Sequence, residues 1–249
     1  MNTLSIIFEE LMITVTPVTM ILLILSCIRR SKAPLIALLL VFAMEGFDSF
    51  MRISRHIFYL FGPKNGFMNW QGGVLSILWP LVIVFLFKWL SPKEVGLSLD
   101  KPRRDLFLGL AFGIILGGWN FLDEYLRGSL HNLGESTLYM LAIPGLSEEL
   151  IYRGVLLAIL NRYLGEPWNW GGIRFGWDII LVSIIFIDGH LFEYSLSLQQ
   201  FIWKGSIDLI VNVTIATAAF SYLRLKTRSI WPGAICHSMI DSAPFLSIQ

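Results

Sequence analysis

An unbroken apolar run constrains this chain more than any other feature: from Leu11 to Ile28 there is no charged residue. A helix that crosses a bilayer needs about 20 mostly apolar residues, with roughly 17–25 tolerated. Gly66–Phe87 and Leu106–Leu122 meet that requirement. Leu209–Leu223 is too short by itself and meets it by beginning earlier, near Phe201. Four further runs are apolar but interrupted by ionisable groups: Pro34–Met51, Ser136–Leu160, Asp178–Phe192 and Ser229–Phe245. The expected fold is therefore all-α, a polytopic transmembrane helical bundle of about eight spans, with residues 1–249 forming one domain. A membrane barrel is disfavoured, because barrel strands alternate apolar with polar residues over about ten positions, and these runs are continuous. Composition agrees. The chain is 55% hydrophobic and 15% charged, against about 25% charged in soluble domains. A net charge of +1 offers no basic field for nucleic acid, so the partner expected from composition is the lipid bilayer.

Loop charges orient the bundle. With the amino terminus outside, the inside loops hold Arg29, Arg30 and Lys32; Lys88, Lys93, Lys101, Arg103 and Arg104; Arg162 and Arg174; and Arg224, Lys226 and Arg228. The outside loops hold only Arg52, Arg55, Lys64, Arg127 and Lys204. The bias follows the positive-inside rule and supports eight spans with both termini outside. It implies a multi-pass integral membrane protein, in the plasma (inner) membrane if the source is prokaryotic. Glu9 and Glu10 precede the first run where a cleaved signal would carry basic residues, so that run is expected to be retained. Cys27 and Cys236 lie in different spans and are not expected to pair. The segment Glu166–Gly176 reads as a connector whose Trp168 and Trp170, with Trp177, suit a membrane interface.

Charged groups at membrane depth are costly, so they face the interior and need partners. The densest cluster is Ser147-Glu148-Glu149-Leu150-Ile151-Tyr152-Arg153. Glu149 and Arg153 are four apart on one helix face, and read as a self-neutralising pair. Glu148 points about 100° away and has Tyr152, not a cation, at i+4. That suits it to take a proton from water as a general base. A second cluster, Phe186-Ile187-Asp188-Gly189-His190, ends the sixth span. A third, His237-Ser238-Met239-Ile240-Asp241, sets His237 and Asp241 on one face at i, i+4. Glu45 and Asp48 read as structural partners of Arg52, and Asp208 with Asn212 as hydrogen-bonding groups towards neighbouring helices.

Glu-Glu-x-x-x-Arg at 148–153, Phe-x-x-x-His at 186–190 and His-x-x-x-Asp at 237–241 occur in that order on successive late spans. This ordered triple resembles the CAAX-protease and bacteriocin-processing (Abi) family of intramembrane endopeptidases, to which Rce1 belongs. The resemblance covers residues 91–245. It implies a protein or peptide substrate at the membrane. It also implies that Glu148 and His190 activate a water, that His237 with Asp241 stabilises the oxyanion, and that Glu149, Arg153 and Phe186 are supporting motif members. Familiar members often carry Asn at the last position. Asp241 donates only when protonated, so it is expected instead to hold the tautomer of His237 while His237 donates.

The residues leave other readings open. No cofactor is expected, yet Glu148, His190 and His237 would make a three-ligand open zinc site, although no His-Glu-x-x-His motif is present. A non-catalytic membrane scaffold or immunity factor would use the same bundle. A proton-coupled carrier would also bury ionisable groups, but no inverted repeat with paired broken helices is visible.

Overall fold

The computed structural model describes residues 3–53, 60, 68–131, 133–195 and 200–246. The chain is mostly helical, as its apolar runs require. In order it forms α1 (Thr3–Arg29), α2 (Ala33–Ile53), α3 (Trp70–Phe85), α4 (Pro92–Val95) and α5 (Pro102–Arg127). Next come α6 (Glu135–Ala142), α7 (Pro144–Glu148), a π-helical segment (Glu149–Leu156) and α8 (Leu157–Leu164). The remainder is β1 (Trp168–Trp170), β2 (Ile173–Phe175), α9 (Trp177–Leu191), β3 (Phe192–Ser195), β4 (Gln200–Trp203), α10 (Ile207–Thr227), α11 (Trp231–Ser242) and a short 3-10 turn (Ala243–Phe245). Both strand pairs are antiparallel.

Among the described residues, four helices are long and apolar enough to cross a membrane: Leu11–Arg29, Ala33–Arg52, Pro102–Arg127 and Ile207–Thr227. The shorter Trp70–Phe85 is also apolar. Several expectations change. The expected fifth span, Ser136–Leu160, is not one helix but four consecutive pieces. Pro144 lacks the N–H that would continue α6 and starts a new helix in its N1 position instead. The seventh expected span starts at Ile207, and Phe201 belongs to β4. The Glu166–Gly176 connector is a hairpin. Gly171 and Gly172, at φ 56° and 81°, supply the left-handed turn that two-residue hairpins need. Arg224 is not a loop charge: it lies within α10 and is buried. Gly66, Arg55 and Lys64, used above for the third span and the outside loops, lie outside the described residues. Cys27 and Cys236 are both free, as expected.

Contacts divide the chain into two compact units. One comprises Met1–Phe50 and Leu156–Ala218. In it α9 packs on α1 and α8, around Val15, Val18, Leu22, Leu160, Leu181 and Ile185. Asn161 Nδ2 donates to Asp178 Oδ2 at 2.9 Å, and Arg29 Nη1 to the Leu164 carbonyl at 3.1 Å. These bonds satisfy polar groups at the ends of buried helices.

The second unit comprises Met51–Val155 and Ala219–Gln249. Its frame is α11 packed along α5, with α6 and α7 alongside. Glycines at i, i+4 and i+8 on α5 make this approach possible. A Cβ on Gly109 would lie 2.7 Å from the Pro232 carbonyl oxygen, and one on Gly117 would lie 2.9 Å from that of Met239. Between them, Gly113 faces Met239 and Cys236. Small residues at this spacing let membrane helices meet backbone to backbone. Asn120 adds a hydrogen bond to the Ile240 carbonyl at 2.9 Å. The neighbouring Gly118 has nothing within 4 Å of a built Cβ.

That contrast is testable. G109A and G117A are expected to destabilise the protein by about 1–3 kcal/mol through overpacking, and G118A not at all. Denaturation in micelles measures the difference. Equal stability of all three variants would contradict close α5–α11 packing.

Candidate active site

The short helix α7 carries Glu148 at its end and passes directly into the π-helical segment, which holds Glu149 and Arg153. A π turn bonds i to i+5 rather than i+4, so it widens the helix and re-aims its side chains; such turns recur at functional sites. Gly145 sets α7 against α11, since a Cβ there would lie 2.7 Å from the Ala234 carbonyl oxygen. Gly233, one turn before His237, leaves space for a carboxylate: its Cβ would fall 2.6 Å from Glu149 Oε2. Two glycines thus bring the acids of one element to the imidazole of another.

Glu149 and Arg153 form an ion pair at 3.2 Å, both side chains 0% exposed. The expected pairing is present. The same Glu149 oxygen, Oε1, lies 3.4 Å from His237 Nδ1. The other ring nitrogen, Nε2, lies 3.4 Å from Asp241 Oδ2 and 3.8 Å from Glu148 Oε2. His237 is buried, whereas Glu148 and Asp241 are each about a quarter exposed, at 25% and 26%. The site therefore grades from a sealed ion pair, through the imidazole, to two carboxylates that solvent reaches. Carboxylates only accept hydrogen bonds, so with the acids ionised both ring nitrogens face acceptors, an arrangement that suits a doubly protonated ring. Glu149 faces the ring at Nδ1, and Asp241, expected to hold the ring, faces it at Nε2.

Two residues around this cluster were not expected. The Phe220 ring stacks on His237, with centroids 4.5 Å apart and planes 20° apart. Arg153 Cζ lies 5.2 Å from the centroid of the same ring, so Phe220 contacts both His237 and Arg153. A phenylalanine in an apolar run gave no signal of this. Arg224 donates Nε to the Arg153 carbonyl at 2.8 Å.

The second unit therefore brings together Glu148, Glu149, Arg153, His237 and Asp241. Phe186 and His190 belong to the first unit, in the last two turns of α9. His190 is exposed, and its Nδ1 lies 2.7 Å from the Phe186 carbonyl oxygen. A carbonyl cannot donate, so Nδ1 carries the proton and Nε2 is the basic nitrogen of the neutral ring. The Phe186 side chain is buried with its ring 4.4 Å from the imidazole, so the Phe-x-x-x-His spacing fixes both main-chain bond and ring contact. Asp188 is half-buried near the helix end. Among the described residues, no group of three or more His, Cys, Asp or Glu side chains is arranged to hold a metal ion.

The second unit thus holds a buried imidazole flanked by carboxylates on a helical, apolar scaffold. Residues 134–243 match the family Type II CAAX prenyl endopeptidase Rce1-like. The matched stretch contains all three motifs, and the family is one of proteases. The resemblance drawn from the motifs is thus present in this segment, and together with the apolar helices it makes the chain an integral membrane protein. No curated protein and no solved structure matches.

Removing one partner of a buried ion pair strands the other charge. R153M is expected to cost about 3–5 kcal/mol, and E149L/R153M less than R153M alone. Denaturation of the purified variants compares them. A fully stable R153M would contradict a sealed pair.

Proposed function

We propose that this protein is an intramembrane endopeptidase that hydrolyses a peptide bond in a membrane-associated protein or peptide of the prenylated, CAAX type. The observation that carries this reading is His237, buried between Glu149 at Nδ1 and Glu148 with Asp241 at Nε2. The family name of residues 134–243 supports the substrate class. The four long apolar helices, with the loop-charge bias, support a multi-pass arrangement; the apolar runs of the sequence extend it to about eight spans, in the plasma (inner) membrane if the source is prokaryotic.

In the proposed reaction Glu148, the accessible acid, takes a proton from water. The hydroxide oxygen bonds to the scissile carbonyl carbon, and the carbonyl π electrons move onto oxygen. His237 donates from Nε2 to that oxyanion, with Glu149 holding the ring from Nδ1 and Asp241 steadying its charge. The C–N bond then breaks, and Glu148 passes its proton to the leaving amine. The oxyanion electrons re-form the carbonyl, so one peptide and one water give one carboxylic acid and one amine. His190 is assigned to water activation with Glu148 by its motif, and its basic Nε2 suits that task. Phe186 and Arg153 are supporting residues that hold His190 and Glu149.

E148Q tests the reading. Its kcat on a prenylated reporter peptide should fall about 10²–10⁴-fold, the usual contribution of a general base, with unchanged folding. Wild-type turnover by E148Q would contradict the assignment. If E148Q binds or protects its partner fully and the wild-type protein cleaves nothing, the scaffold reading replaces it. Chelators should leave the rate unchanged. A chelator-sensitive rate restored by zinc would place a metal on Glu148, His190 and His237 instead.

A further inference from the structure

Phe220 and Arg224 are one turn apart on α10, and both contact Arg153. The Phe220 ring meets its guanidinium, and Arg224 Nε donates to its main-chain carbonyl at 2.8 Å. Arg224 is only 6% exposed. Its Nη2 donates to the Glu94 carbonyl at 2.8 Å, so one planar guanidinium ties the π-helical segment to the loop at residues 91–97. A lysine could not match this, since its single ammonium lacks the fixed fork that spans two acceptors.

The loop is well suited to serve as a reference point. Ser91 and Glu94 close a capping box around α4, and Gly96 ends it in the left-handed region at φ 80°. A Cβ on Gly96 would lie 2.9 Å from Arg224 Cζ, so glycine is needed both for the turn and for the guanidinium packed on it. The same loop anchors the start of α11. The Gly96 carbonyl accepts from the Ile230 N–H at 2.9 Å and the Ser229 hydroxyl at 3.2 Å, and the Leu97 carbonyl accepts from Trp231 Nε1 at 3.0 Å. Val95 packs against Gly154 of the π-helical segment. The element carrying the acids and the element carrying the imidazole are thus both referred to residues 91–97.

We infer that Arg224 is a positioning residue: by bridging the Arg153 and Glu94 carbonyls it holds the π-helical segment in register, and so fixes how Glu148 and Glu149 meet His237. The inference rests on the endopeptidase reading for its consequence in catalysis. A π turn holds one residue more than an α turn. Its relaxation would rotate the flanking residues by about 100° relative to one another, taking the acids off the face that meets α11.

R224K keeps the charge and loses the fork. G96A disturbs the same contact from the other side, and guards against a fold defect peculiar to one variant. Hydrogen–deuterium exchange on the full chain in nanodiscs should show amides 149–155 exchanging about tenfold or more faster in both variants, with α5 unchanged, as for a local opening. On the reporter peptide, kcat should fall about tenfold or more with KM held within about twofold, the mark of an interaction lost in the transition state rather than in binding. Unchanged exchange at 149–155 would overturn the inference. So would faster exchange with full kcat, or an effect on KM alone. If wild-type protein cleaves no reporter, the endopeptidase reading fails by itself, and the exchange comparison, which needs no substrate, still decides whether Arg224 holds the register.

Discussion

A carboxylate and a guanidinium at zero exposure can persist in an apolar bundle only by neutralising each other. Glu149 and Arg153 do so at 3.2 Å. Desolvating each ion costs several kcal/mol, which their mutual attraction must offset. Arg153 lies over the Phe220 ring, and Glu149 turns the same oxygen towards His237 Nδ1. The pair therefore does more than cancel charge. It fixes a carboxylate beside the imidazole, leaving Nε2 to the two acids that solvent reaches.

Such a cluster needs helices closer than side chains normally allow, and the glycines permit it. Gly109 and Gly117 bring α5 onto the backbone of α11, Gly145 does the same for α7, and Gly233 makes room for the Glu149 carboxylate itself. In the bilayer there is little hydrophobic force between helices, so this packing and the bonds from Asn120, Arg224 and Trp231 carry the association. The main-chain break at Pro144 and the π turn after it then aim Glu148 and Glu149 at α11.

What the sequence revealed was local. The i, i+4 spacings of Glu149 with Arg153, His237 with Asp241 and Phe186 with His190 each correspond to a contact, because a single helical stretch decides them. Apolar runs located the long helices, yet they could not show that residues 136–160 change helix type, since hydropathy is blind to a proline break or a π turn. Phe220 and Arg224 were hidden because their roles come from other elements: one stands in an apolar run, the other was counted among the loop charges. Two features could have been read. Gly109, Gly113 and Gly117 form a small-residue ridge, and the Gly171-Gly172 pair between Trp170 and Ile173 is a hairpin signal.

The central claim is that Glu148 and His237 act on one reacting centre. A double-mutant cycle in single-turnover cleavage, using E148Q, H237Q and the double variant, tests it most directly. Groups that serve one transition state are strongly non-additive, so the double variant should cleave no more slowly than the worse single one, within about threefold. A double variant whose loss equals the product of the two single losses would mean that these residues work independently, and would contradict the account.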